Sequence, residues 1–131
     1  MKITIRLGRY CTLHVLLLIG GSAIAQSTYP DSRIVELRDG LKAAANSHSE
    51  KLLLDSRSKF ERLLSAEDQT FLVHYYIALA DEHLFHYYSD PTQKTRVMND
   101  GIMHLERSIE LNDDFAESRI LLAGLYGLKI G

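Results

Sequence analysis

The chain has one cysteine, Cys11, and it lies in the first segment. Beyond residue 25 there is nothing to build a disulfide, a thiolate metal site or a cysteine nucleophile. Sustained alternation of apolar and polar residues is also missing, so no segment argues for a strand. After residue 25 no apolar run suggests a membrane span, because Asp81 and Glu82 interrupt the one candidate. Lys and Arg are absent from Leu63 through Gln93. Positive charge is scarce overall: without the first 25 residues, 12 Lys+Arg face 17 Asp+Glu, a formal charge of −5. That balance argues against nucleic acid as a partner.

What is present begins with a basic run (Lys2, Arg6, Arg9), an apolar stretch from about Tyr10 to Ile24, and Ala23-Ile24-Ala25 before Gln26. This is the pattern of a secretory signal peptide over residues 1–25, cleaved after Ala25; retention as an anchor is the alternative. The expectation is an exported chain, periplasmic or secreted, with no membrane span after cleavage. Residues 26–30 read as a disordered leader.

From Asp31 onward the pattern is helical. Ile34, Leu37, Leu41 and Ala44 or Ala45 make one stripe, predicting a helix over about 31–46. Ser47 and Glu50 have the capping-box spacing for a second helix, whose stripe is Leu53, Ser56 or Arg57, Phe60, Leu63 and Leu64. Ser65 and Asp68 repeat that spacing, which starts a third helix near Ala66 and carries it to about Tyr88. This helix is apolar on nearly every side and must be surrounded. Asp90 then caps a fourth helix with Pro91 at its first position, where the missing N–H costs nothing. Its stripe is Val97 or Met98, Ile102, Leu105 and Ile109, and Gly101 in its middle implies close helix contact or a bend. Asn112-Asp113-Asp114 turns the chain into a last helix from Phe115 to about Lys129, with Asp114 and Glu117 spaced as cap and acidic partner. The fold class is all-α, five antiparallel helices joined by short turns.

Two blocks of the chain superpose. Ser56, Phe60 and Leu63 are followed, fourteen residues after the Phe, by His74, then Ile77, Ala78 and Asp81. Gly101, Leu105 and Ser108 are followed, fourteen after the Leu, by Arg119, then Leu122, Ala123 and Tyr126. In this the chain resembles the tetratricopeptide repeat family, over roughly Leu37 to Gly131. The resemblance implies a helix-pair solenoid of about two and a half units (37–70, 71–115 and a half unit from 116), the middle one lengthened. It further implies a scaffold rather than an enzyme, without a cofactor, that binds a protein or peptide in a concave groove. Carried over position by position, the groove is lined by Leu72, Tyr75, Leu79, Glu82, His83, Glu117, Ile120 and Leu128, with Arg38 and Leu41 extending it. Aromatic and acidic groups without a basic one over 63–93 predict a basic or apolar partner segment.

Other constellations are less specific. His83 and His86 stand three apart beside Asp81 and Glu82, a feasible pair of zinc ligands and the basis of an alternative metal-dependent or enzymatic reading. No third ligand is legible, and neither a His-Glu-x-x-His nor a Gly-x-Ser-x-Gly motif occurs. Tyr75-Tyr76 and Tyr87-Tyr88 suit either an aromatic ligand or a core with wet tips. The alternating charges over 50–62 read as a solvated face. The final helix carries Ile120, Leu121, Leu122, Leu125, Tyr126, Leu128 and Ile130 at successive angles. It is therefore expected to need cover from further chain of a longer protein or from a second copy in a homodimer.

Overall fold

The computed structural model describes residues 30–65 and 69–130, and all its regular structure is helical: α1 (Ser32–Asn46), α2 (Glu50–Leu63), α3 (Thr70–Tyr87), α4 (Pro91–Leu111) and α5 (Ala116–Ile130). The expectations for the signal segment and most of the leader lie outside the described residues, as does the Ala66–Asp68 start of the third helix. No helix among the described residues is long and apolar enough to cross a membrane.

Local chemistry sets the boundaries. Asp31 caps α1 by accepting from the Arg33 N–H at 2.7 Å, and Asp90 caps α4 by accepting from the Gln93 N–H at 2.8 Å, with Pro91 beginning that helix. One sequence expectation is corrected here. The cap of α2 is Ser49, not Ser47; Ser47 instead closes α1, its hydroxyl donating to the Ala44 carbonyl at 2.7 Å. Between them His48 takes a left-handed backbone (φ 52°), the conformation that ends a helix. The described third helix begins at Thr70, with Gln69 at its N-cap.

Each helix packs on the next, α3 against α4 most extensively; α1 also reaches α3, and α3 reaches α5, while the backbones of α2 and α4 stay apart. The predicted stripes are the buried ones. Ile34, Leu41, Ala44, Leu53, Phe60, Val73, Ile77, Ala80, Leu84, Tyr88 and Val97 form one core, and Ala78, Met98, Ile102, Leu105 and Leu125 a second along α4. α3 sits between α2 and α4, as its all-round apolarity required.

Gly101 resolves as a close contact rather than a bend. A Cβ there would stand 3.1 Å from Leu125 Cδ1 and 3.3 Å from Asp81 Cβ, so the backbone of α4 meets α3 and α5 at this point. Gly101→Val is expected to lower the melting temperature by roughly 5–10 °C through overpacking of about 1–2 kcal/mol. An unchanged melt by circular dichroism would show that the contact is slack. At the far end of α4, Ser108 Oγ donates to the Phe71 carbonyl (2.8 Å) and accepts from Ser118 Oγ (2.7 Å), joining α3, α4 and α5 through buried hydroxyls. α5 is thinly covered: only Ser118 and Leu125 are buried, and Ile120 and Ile130 are 72% and 88% exposed.

Candidate functional site

α1, α3 and the start of α5 enclose a concavity of about 530 Å³. Of the residues the sequence nominated, Leu72, Tyr75, Leu79, His83 and Glu117 line it, together with Arg38 and Leu41. Residues three, four and seven apart on α3 share one face, which is why Leu72, Tyr75, Leu79 and His83 arrive together. Glu82, Ile120 and Leu128 lie outside the lining. The carry-over assumed that α5 presents the face α3 presents, but burial of Ser118 and Leu125 against the rest turns Ile120 to solvent.

The structure adds Lys42, Tyr76 and Phe115 to the lining. Phe115 belongs to the turn before α5, and nothing in its sequence surroundings pointed to the groove. It is reached through rings: Tyr75 meets Phe115 edge-on at 5.2 Å and Tyr76 edge-on at 5.1 Å, Phe71 meets Phe115 at 5.4 Å, and Tyr76 stacks on Phe60 at 5.2 Å. A continuous aromatic floor thus runs from α2 under α3 to the head of α5. Burial pushes both tyrosine hydroxyls above their usual range, so the floor stays uncharged at any physiological pH. The walls carry opposite signs, Arg38 and Lys42 on α1 and Glu117 on α5. Arg38 is already paired with Asp39 at 2.9 Å, which holds its proton more firmly.

A second concavity, about 350 Å³, adjoins the first and shares Ala45 and His83 with it; His48, Leu53, His86 and Tyr87 complete it. Glu82 faces both predicted metal-ligand candidates, 3.4 Å from His83 Nδ1 and 3.1 Å from His86 Nε2. His48 Nδ1 lies 3.0 Å from the Ala45 carbonyl. Among the described residues no group of three or more His, Cys, Asp or Glu side chains is placed to hold a metal ion.

Behind the groove, on the side of α3 turned to α2 and α4, lies a polar seam that the sequence did not disclose. Arg57 Nε donates to Asp81 Oδ1 at 2.7 Å and its Nη2 to Oδ2 at 3.3 Å, a bidentate pair across 24 residues. Asp81 is 1% exposed, and burial raises its pKa from 3.8 to about 6 despite the guanidinium. Arg57 also bonds Glu61 at 2.5 Å and stands 3.8 Å from Asp100. Further along, His74 Nδ1 and His104 Nδ1 are 2.8 Å apart, so one donates and the other accepts. Burial pushes both imidazoles below their usual range, His104 to about 4. Arg57 had read as a stripe alternative within a solvated charged face, and Asp81 as an acid interrupting an apolar run. Only their meeting across α2 and α3 reveals the pair.

No protein-family model, curated protein or solved structure matches this chain.

Proposed function

We propose that the chain is an exported scaffold of helix pairs, similar to the tetratricopeptide repeats, that binds a protein or peptide segment in the groove formed by α1, α3 and the head of α5. The observation that carries this reading is the groove itself: an open, aromatic-floored trough with charged walls, on the face where alternate helices α1, α3 and α5 come together. The order of helix contacts supports the solenoid part of the reading, since α1 touches α3 and α3 touches α5 while the backbones of α2 and α4 remain apart. Half-buried aromatic surface with a polar rim is the composition of a recognition site. A partner segment inserts apolar side chains over Tyr75, Leu79 and Phe115 and sets a basic group against Glu117. No reaction is assigned to the chain.

Selection of a displayed random-peptide library against the folded chain tests this. Enriched peptides are expected to be apolar with basic flanks, and Tyr75→Ala is expected to weaken them about tenfold or more, the loss of an aromatic anchor being worth on the order of 1.5–2 kcal/mol. Glu117→Lys, at an exposed position, is expected to slow association with basic peptides. Failure to enrich any sequence, or peptides indifferent to both substitutions in a normally folded protein, would remove the groove from consideration.

A further inference from the structure

α3 has two jobs in this fold. Its one face floors the groove through Leu72, Tyr75 and Leu79, and its other face carries His74 and Asp81 into the seam against α2 and α4. His74 and Asp81 are seven residues apart, two helical turns, and so lie on one line of α3. Opposite them on α4 stand Asp100, Gly101 and His104, where the bare Gly101 lets the α4 backbone approach Asp81 and Ala78 closely.

Each half of the seam answers a proton differently. When Asp81 takes one, no charge is orphaned, because Arg57 keeps Glu61 at 2.5 Å and Asp100 at 3.8 Å. A buried anion 1% exposed is thereby neutralised, which favours the folded state. When the His74–His104 pair takes one, the N–H···N bond can persist, but a positive charge is placed in a buried site near Arg57 and Arg107. A second proton leaves two donors facing each other at 2.8 Å. That half therefore disfavours the folded state on acidification. The charged and titratable groups around it are accounted for: Arg57 and Glu61 come from α2, His74 and Asp81 from α3, Asp100, His104 and Arg107 from α4. α5 contributes the uncharged Leu125 and Ser118.

We propose that this seam is a proton-compensated brace, in which Asp81 and the His74–His104 pair offset one another so that the α3–α4 hairpin, and the groove floor it carries, keeps its packing through mild acidification. The linkage has opposite signs in the two halves. Asp81, with a folded pKa raised from 3.8 to about 6, contributes stability that is present below 3.8 and lost as pH rises through 6. His104, lowered from 6.5 to about 4, contributes stability that is present above 6.5 and lost as pH falls through 4. Both act between pH 7 and pH 4, in opposite directions.

The test is thermal unfolding by far-ultraviolet circular dichroism between pH 7 and pH 5, for the whole chain and for Asp81→Asn and His104→Gln. Each variant shifts the melt at every pH, so the quantity read is the change with pH. Asp81→Asn, which has lost its compensation, is expected to fall by about 5–10 °C more than the parent over this range, and His104→Gln by a similar amount less. If His104→Gln does not fold, His74→Gln takes its place with the same expected sign. Melts that run parallel to the parent, or deviations of the opposite sign, overturn the brace. Because the readout is unfolding and involves no partner, its failure would leave the groove proposal standing, and failure of peptide selection would leave this one.

Discussion

Arg57→Leu is expected to destabilise the domain by about 3 kcal/mol at pH 7.5, more than most single changes, because removing one member of a buried ion pair leaves the other charge uncompensated. Asp81 would remain 1% exposed with Glu61 and Asp100 beside it and no cation. Its carboxyl, already raised to about 6, would rise further and be protonated over more of the range. Since a carboxyl raised in the folded state adds stability below its ordinary pKa and loses it as pH climbs through the folded value, the deficit should be greatest at pH 7.5 and shrink by pH 5. Replacing both partners, Arg57→Leu with Asp81→Leu, should recover most of the loss, as apolar replacement of a whole buried pair tends to be neutral or better. Urea unfolding at the two pH values measures all three chains. A deficit under about 0.5 kcal/mol, the size of an ordinary surface change, would mean that the pair contributes little.

That pair also marks where the sequence stops being informative. The helices were legible because each is written in a local code: apolar spacing fixed the buried face of α1, α2 and α4, and Asp90-Pro91 fixed a boundary to the residue. The all-round apolarity of α3 placed it in the middle before any contact was known. Caps were less secure, since a Ser with an acidic residue three along occurs by chance; Ser47–Glu50 had the spacing, yet Ser49 makes the bond. Within the groove, the nominees came from the family resemblance: Leu72, Tyr75, Leu79 and His83 share one face of α3 and lie together, Glu82 falls outside the lining, and Ile120 and Leu128 depended on how α5 is rotated, a tertiary property. Arg57–Asp81 and His74–His104 are separated by 24 and 30 residues, and nothing local to any of the four announces a partner. Such pairs are decided by which faces of α2, α3 and α4 meet. A charge and an acid in an otherwise amphipathic stripe look the same whether they end in water or in each other.

Phe60→Ala should have the largest effect of any single truncation, because Phe60 is fully buried at the junction of α2 with α3 and its removal leaves a ring-sized void. Loss of transfer energy together with the cavity amounts to about 3–5 kcal/mol, against a total of about 5–15 kcal/mol for a domain of this size. The urea midpoint should drop by on the order of 2 M. Phe60→Leu, which keeps most of the volume, should lose far less, about 1.5 kcal/mol or under. The consequence extends to the groove, because Phe60 stacks on Tyr76 at 5.2 Å with planes 19° apart, and Tyr76 is part of the floor. Without the ring beneath it Tyr76 gains rotamers, and a peptide that settles on the floor must order it again. Phe60→Leu should therefore bind library-selected peptides several-fold more weakly than the parent although it is nearly as stable, a separation that a purely structural role for Phe60 would not produce. Equal affinity of the two folded proteins would disconnect the core from the groove, and a midpoint for Phe60→Ala within about 0.3 M of the parent, roughly 0.5 kcal/mol, would show that α2 and α3 close over the void.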